Sequence, residues 1–82
     1  MLTIKFFAVL RERLAVDQLQ LDINKPISVA KLLEQLKSRS DKWHRELSRY
    51  DLLCAVNHEF AEPTQCVGNG DEVALFPPVT GG

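Results

Sequence analysis

The chain opens on strict alternation. Leu2, Ile4 and Phe6 fall on one side of an extended segment, and Thr3, Lys5 and Phe7 on the other. That period of two predicts a half-buried strand from Met1 to Ala8. Phe7 is out of place in it, a large aromatic on the polar side. The charged stretch Arg11-Glu12-Arg13 predicts one or two helical turns. Gln18 to Ile23 alternates again, as a second strand, and Asn24-Lys25-Pro26 ends it because Pro26 supplies no ladder donor. At Ser28 the period changes. Val29, Leu32, Leu33 and Leu36 stand at i, i+3, i+4 and i+7, the stripe of an amphipathic helix, with Lys31, Glu34, Gln35 and Lys37 opposite and Ser28 placed as its N-cap.

A shorter helix is expected from Asp41 to Arg49, capped by Ser40 or Asp41, with Trp43 and Leu47 facing inward. Leu52-Leu53-Cys54-Ala55-Val56 reads as a well-covered strand, and His58 to Glu62 as a brief edge strand stopped by Pro63. Gly68-Asn69-Gly70-Asp71 is a turn signal, and Glu72 to Phe76 forms the last strand. There Val73 and Leu75 share one face, and Glu72, Ala74 and Phe76 the other. Strands and helices in this order predict an α+β architecture, a mixed sheet of four to five strands with one main helix packed on one face.

Composition narrows the functions such a fold can carry. Eighty-two residues, 45% hydrophobic and 26% charged, make one small globular domain without repeats or linkers. Ten Lys and Arg against eleven Asp and Glu leave a charge of −1, which removes the electrostatic footprint of a nucleic-acid binder. Cys54 and Cys66 form neither a CxxC pair nor a disulfide framework, so reduced thiols and a cytoplasmic address are expected. Cys54 falls in an apolar strand and reads as a core residue, Cys66 in a loop. No secretory signal is expected, and the apolar run Phe6–Leu10 is far short of the roughly 20 residues that span a bilayer, so no membrane partner is expected either. His44 and His58 sit at no metal-ligand spacing and read as ordinary histidines, so no metal and no bound cofactor are expected. A domain of this size buries only about 60–65% of its unfolded surface, which leaves little for a walled pocket of roughly 300–1,000 Å³. A binding or carrier module fits better than a self-sufficient enzyme.

The C-terminus supplies the chemistry. Phe76-Pro77-Pro78-Val79-Thr80-Gly81-Gly82 leaves the last strand, and the two prolines stop sheet pairing and favour an extended path. Six residues from Pro77 can reach about 19 Å. The terminal carboxylate, ionised at neutral pH with a pKa of roughly 3.3–3.7, is carried on the thinnest possible peptide. Glycines at an end are by themselves compatible with fraying. The Pro-Pro spacer in front of them argues instead for an end presented to another protein's site. Phe7 and Phe76 are expected on the open side of the sheet, forming an apolar patch at the base of this tail if the first and last strands are neighbours, with Phe60 extending it. The competing expectation is that loops cover this face.

The segments Phe6-Phe7-Ala8, Arg11-Glu12, Leu52-Leu53-Cys54-Ala55-Val56-Asn57 and, above all, Gly70 through Gly82 (GDEVALFPPVTGG) resemble the MoaD family over the whole chain. These are small sulfur-carrier subunits of molybdopterin synthase with a ubiquitin-like β-grasp fold. The resemblance implies a β-grasp domain over residues 1–76 and an extended tail over residues 77–82. It implies that an ATP-using, MoeB-type enzyme adenylates Gly82, that a sulfurtransferase then supplies sulfur, and that Gly82 becomes a C-terminal thiocarboxylate (1-thioglycine). The tail, Pro77, Pro78, Val79, Thr80 and Gly81, would enter a channel in a large MoaE-type subunit and deliver sulfur to cyclic pyranopterin monophosphate for the molybdenum cofactor. Gly81 would suit a channel too narrow for a side chain. Phe7, Arg11, Phe60 and Phe76 would dock the partner, the acid–base residues would belong to the large subunit, and the assembly would hold two small and two large subunits. Two other readings share the chemistry of an adenylated glycine: a ThiS-type carrier for another pathway, and a ubiquitin-like modifier joined to lysines.

Overall fold

A computed structural model describes residues 1–78. The alternation at the N-terminus becomes β1 (Leu2–Phe6), with Leu2, Ile4 and Phe6 almost wholly buried. It is followed by α1 (Val9–Leu14), β2 (Gln18–Leu21), β3 (Ile27–Ser28), α2 (Val29–Lys37), α3 (Asp41–Ser48), β4 (Leu53–Val56), β5 (Glu59–Phe60), β6 (Cys66–Val67) and β7 (Glu72–Phe76). The main sheet has the order β2-β1-β7-β4-β5, and β1 and β7 run parallel while the other pairs are antiparallel. It is the mixed five-stranded sheet of an α+β fold. The core lies on one face of it, where Ile4, Phe6, Val73, Leu75 and Val56 meet Leu10, Leu32, Leu36 and Leu47 from the helices.

Caps fix the helices where the sequence places them. The Ser28 hydroxyl accepts the Lys31 N–H at 3.1 Å at the start of α2, and the Ser40 hydroxyl accepts the Trp43 N–H at 3.1 Å at the start of α3. Trp43 meets the Phe6 ring edge-on at 5.4 Å. The second, shorter helix expected from Asp41 to Arg49 is α3, which adds Trp43 and Leu47 to the layer led by α2.

Two strands are shorter than their alternation suggests. β1 stops at Phe6 because Ala8 turns the chain with φ 56° and ψ −135°. β2 stops at Leu21, opposite Leu2 where its partner β1 begins, and beyond it the Asn69 side chain binds the Ile23 backbone: its Nδ2 donates to the Ile23 carbonyl at 2.8 Å, and its Oδ1 accepts the Ile23 N–H at 3.4 Å. The antiparallel pair β3–β6 was not anticipated, and it moves Cys66 from the expected loop into a strand.

The β4–β5 hairpin closes through Asn57 and His58, at φ 51° and 72°. Two left-handed residues between paired strands match the right-handed twist of a hairpin. Asn57 suits such a position, while His58 pays a Cβ penalty that glycine escapes. His58→Gly is therefore expected to raise stability by up to about 1 kcal/mol, offset in part by the greater entropy of the unfolded chain. A rise of a few degrees in the melting temperature checks it; a fall overturns the turn assignment.

Asn57 also ties this hairpin to the turn that feeds β7. Its Nδ2 donates to Asp71 Oδ1 at 3.0 Å and its Oδ1 accepts the Glu72 N–H at 3.0 Å, while the Gly68 N–H donates to Asp71 Oδ2 at 2.8 Å. The Asn57 and Gly68 donors hold the Asp71 carboxyl below its ordinary pKa. A lowered folded-state value stabilises the fold above the ordinary carboxylate pKa, and the contribution disappears as pH falls through the lowered one. The melting-temperature gap between wild type and Asp71→Asn is expected to be full at pH 7 and to narrow below about pH 4. A gap independent of pH would show that the ionised carboxylate contributes nothing.

Candidate functional site: the open face of the sheet

The face of the sheet away from the helices is not covered as a second core. Parallel pairing of β1 with β7 is extended one step past Phe6 by the Phe7 N–H, which donates to the Leu75 carbonyl at 3.2 Å. This carries the backbone of Phe7 alongside the end of β7. Ala8 then holds a conformation that side-chain-bearing residues rarely adopt and turns the chain directly into α1. The phenyl ring of Phe7 is left 43% exposed.

On the other side of β7, register decides what meets. Leu53 lies opposite Phe76, and Phe60 opposite Ala55 two positions along β4, so Leu53, Ala55, Phe60 and Phe76 share this face. The Phe60 and Phe76 rings lie 6.0 Å apart at 55°. Phe60 is 77% exposed, the most open of the large apolar side chains, and Phe76 is half-buried beside it. Phe60, which the sequence could only place as an extension of the patch, is thus the residue in ring contact with Phe76.

Arg11 stands apart from this cluster. It is exposed on α1, in the segment that begins immediately after the Phe7–Ala8 turn. Leu53 is the member that the sequence reading missed. The run Leu52–Val56 reads as covered on both sides, yet Leu53 is 38% exposed. Counting by twos from Cys54 and Val56, which face the core, assigns Leu53 and Ala55 to the opposite face.

The polar part of the face centres on Glu72. Lys5 Nζ approaches Glu72 Oε1 at 3.3 Å and His58 Nε2 approaches Oε2 at 3.6 Å, in an exposed setting where such pairs contribute little to stability. His44 is exposed on α3. Cys54 packs in the core, where desolvation pushes its thiol pKa up and disfavours the thiolate. Among the described residues there is no group of three or more His, Cys, Asp or Glu that could hold a metal ion, and no helix long and apolar enough to cross a membrane.

The described chain ends just past β7, with Pro77 half-buried and Pro78 exposed. Val79, Thr80, Gly81 and Gly82, on which the expected tail chemistry falls, lie outside the described residues. What the described face offers beside Pro77 is an apolar surface made of Leu53, Ala55, Phe60 and Phe76. Such a surface can bind.

A family model described as the ThiS family matches residues 4–82. The chain is 43% identical, over its full length and that of the relative, to the molybdopterin synthase sulfur carrier subunit of Haemophilus influenzae. It is 38% identical to the subunit of the same name from Escherichia coli, again over the whole of both chains. The crystal structure of small archaeal modifier protein 1 from H. volcanii superposes with a TM-score of 0.78 at 27% identity, covering 95% of this chain and 97% of that one.

Proposed function

The chain belongs to the ThiS family, and on that premise we propose that it is the sulfur carrier subunit of a molybdopterin synthase. The reading is supported most by one juxtaposition. The exposed aromatic face lies where β7 passes into Pro77-Pro78 and the Gly-Gly end, so one partner surface can hold the domain and receive the tail.

In this reading residues 77–82 act as a tail apart from the β-grasp domain of residues 1–76. The Gly82 carboxylate attacks the α-phosphorus of ATP in an activating enzyme, releasing pyrophosphate and leaving an acyl adenylate. Sulfide-level sulfur (HS−) supplied by a sulfurtransferase attacks the acyl carbon and displaces AMP, and the resulting thiocarboxylate carries the sulfur atom to cyclic pyranopterin monophosphate in the large subunit. The carrier contributes reach and a carboxyl group. Its partners contribute the acid–base groups, in an assembly of two small and two large subunits in the cytoplasm. Phe7, Phe60 and Phe76 form the docking face, and Arg11 reaches the partner from α1.

Intact-mass measurement of the protein incubated with its activating enzyme, ATP and sulfur donor tests the central step. Replacing one oxygen by sulfur is expected to add about 16 Da, located on the C-terminal residue. The likeness to small archaeal modifier protein 1 favours a second reading, attachment of Gly82 to lysines of other proteins. Lysine adducts without any thiocarboxylate would establish that reading and overturn the first.

A further inference from the structure

The Phe60–Phe76 pair forms a boundary as well as a patch. Behind it, between α2 and the β4–β5 hairpin, runs a groove of about 300 Å³. Its walls include Leu33 of α2, Leu52 and Leu53, and Phe60, Ala61 and Glu62; among the described residues that line it, Glu62 alone is charged. Leu53 and Phe60 belong to both surfaces, so the groove is continuous with the open face across their side chains.

Area argues that the interface extends this way. A specific protein–protein contact takes roughly 800 Å² from each partner, spread over about 20–30 residues. Phe7, Arg11, Phe60 and Phe76 together with the six tail residues make ten, short of that number on a protein whose total surface is 5253 Å². The groove is adjoining apolar surface that can extend the contact, and an apolar recess beside exposed aromatics is where binding energy concentrates.

We propose that the groove between α2 and the β4–β5 hairpin seats an aliphatic side chain of the large synthase subunit, on a segment that brings a lysine or arginine to Glu62. The proposal rests on the function and docking face argued above. An aliphatic side chain matches the walls, and a cation matches their single charge; an acidic segment would meet Glu62 with repulsion and is excluded on that ground.

Carrier labelled at its leucine methyls and phenylalanine rings and titrated with the purified large subunit gives the direct test, since it needs no variant to fold. The Leu33 and Leu52 methyl signals are expected to shift along with the Phe7 and Phe76 ring signals. Ring signals that shift while Leu33 and Leu52 stay still overturn the groove and leave the docking face standing. If the ring signals stay still, the docking face falls, and the groove's continuity with it. As a second readout, Glu62→Lys is expected to weaken binding about two- to fivefold at low salt, fading as salt rises, with an unchanged melting temperature. Leu33→Gln is expected to weaken it about tenfold or more at any salt. Unchanged affinity in both folded variants overturns the proposal.

Discussion

A chain ending at Gly81 is expected to transfer no sulfur while melting at the temperature of the full-length protein. Removing Gly82 does not remove the carboxylate; it moves it back along the tail by about 3.1–3.6 Å. Reaction at a partner's site requires the reacting atoms within about 3–3.5 Å of each other, and a misplacement of about 1 Å alone can cost a hundredfold. A whole residue exceeds that tolerance, so transfer should fall by more than two orders of magnitude. The fold should not register the change, because the buried core among the described residues is complete by Leu75. Single-turnover transfer and a thermal melt on the same preparation measure both. Residual transfer within tenfold of the full-length chain would overturn the mechanism. A drop of several degrees in melting temperature would show instead that the tail packs on the domain.

The sequence carried the parts of this molecule that are periodic. Leu2, Ile4 and Phe6, the α2 stripe from Val29 to Leu36, and Val73 with Leu75 all point where their spacing says, because each run is long enough to show a period. Ser28 and Ser40 were legible as caps because the hydroxyl acts within its own turn. What was not legible depends on register or on one distant side chain. The strands β3 and β6 have two residues each and show no period. Asn69 holds the Ile23 backbone just past β2 from 46 positions away. The Phe60–Phe76 contact needs both Ala55 opposite Phe60 and Leu53 opposite Phe76, and no spacing along the chain announces either. The same holds for the groove, whose walls come from α2, β4 and the segment after β5. The exposed aromatics of the open face were therefore readable residue by residue as rings on an unexpected side, while the extent of that face was not.

Phe76→Asp is expected to reduce affinity for the large subunit by at least about thirtyfold, with a much smaller effect on the free domain. The ring lies beside Phe60 at 6.0 Å and opposite Leu53, half-buried in the free protein and central to the proposed contact. A charge there meets an apolar partner surface without water, and losing an aromatic anchor at such a centre costs about 2–4 kcal/mol. Within the monomer the loss is the Phe60 contact, about 0.5–1.5 kcal/mol, together with some apolar burial. The strand itself should hold, since Val73 and Leu75 on the core face of β7 are fully buried and untouched. Phe76→Leu separates the two effects: it keeps the apolar surface, and is expected to retain affinity within about fivefold while losing the ring contact. Calorimetric titration of both variants against the large subunit, beside their melting curves, decides it. Affinity in Phe76→Asp within threefold of wild type would remove Phe76 from the interface. Loss of affinity in proportion to loss of stability would make the residue structural.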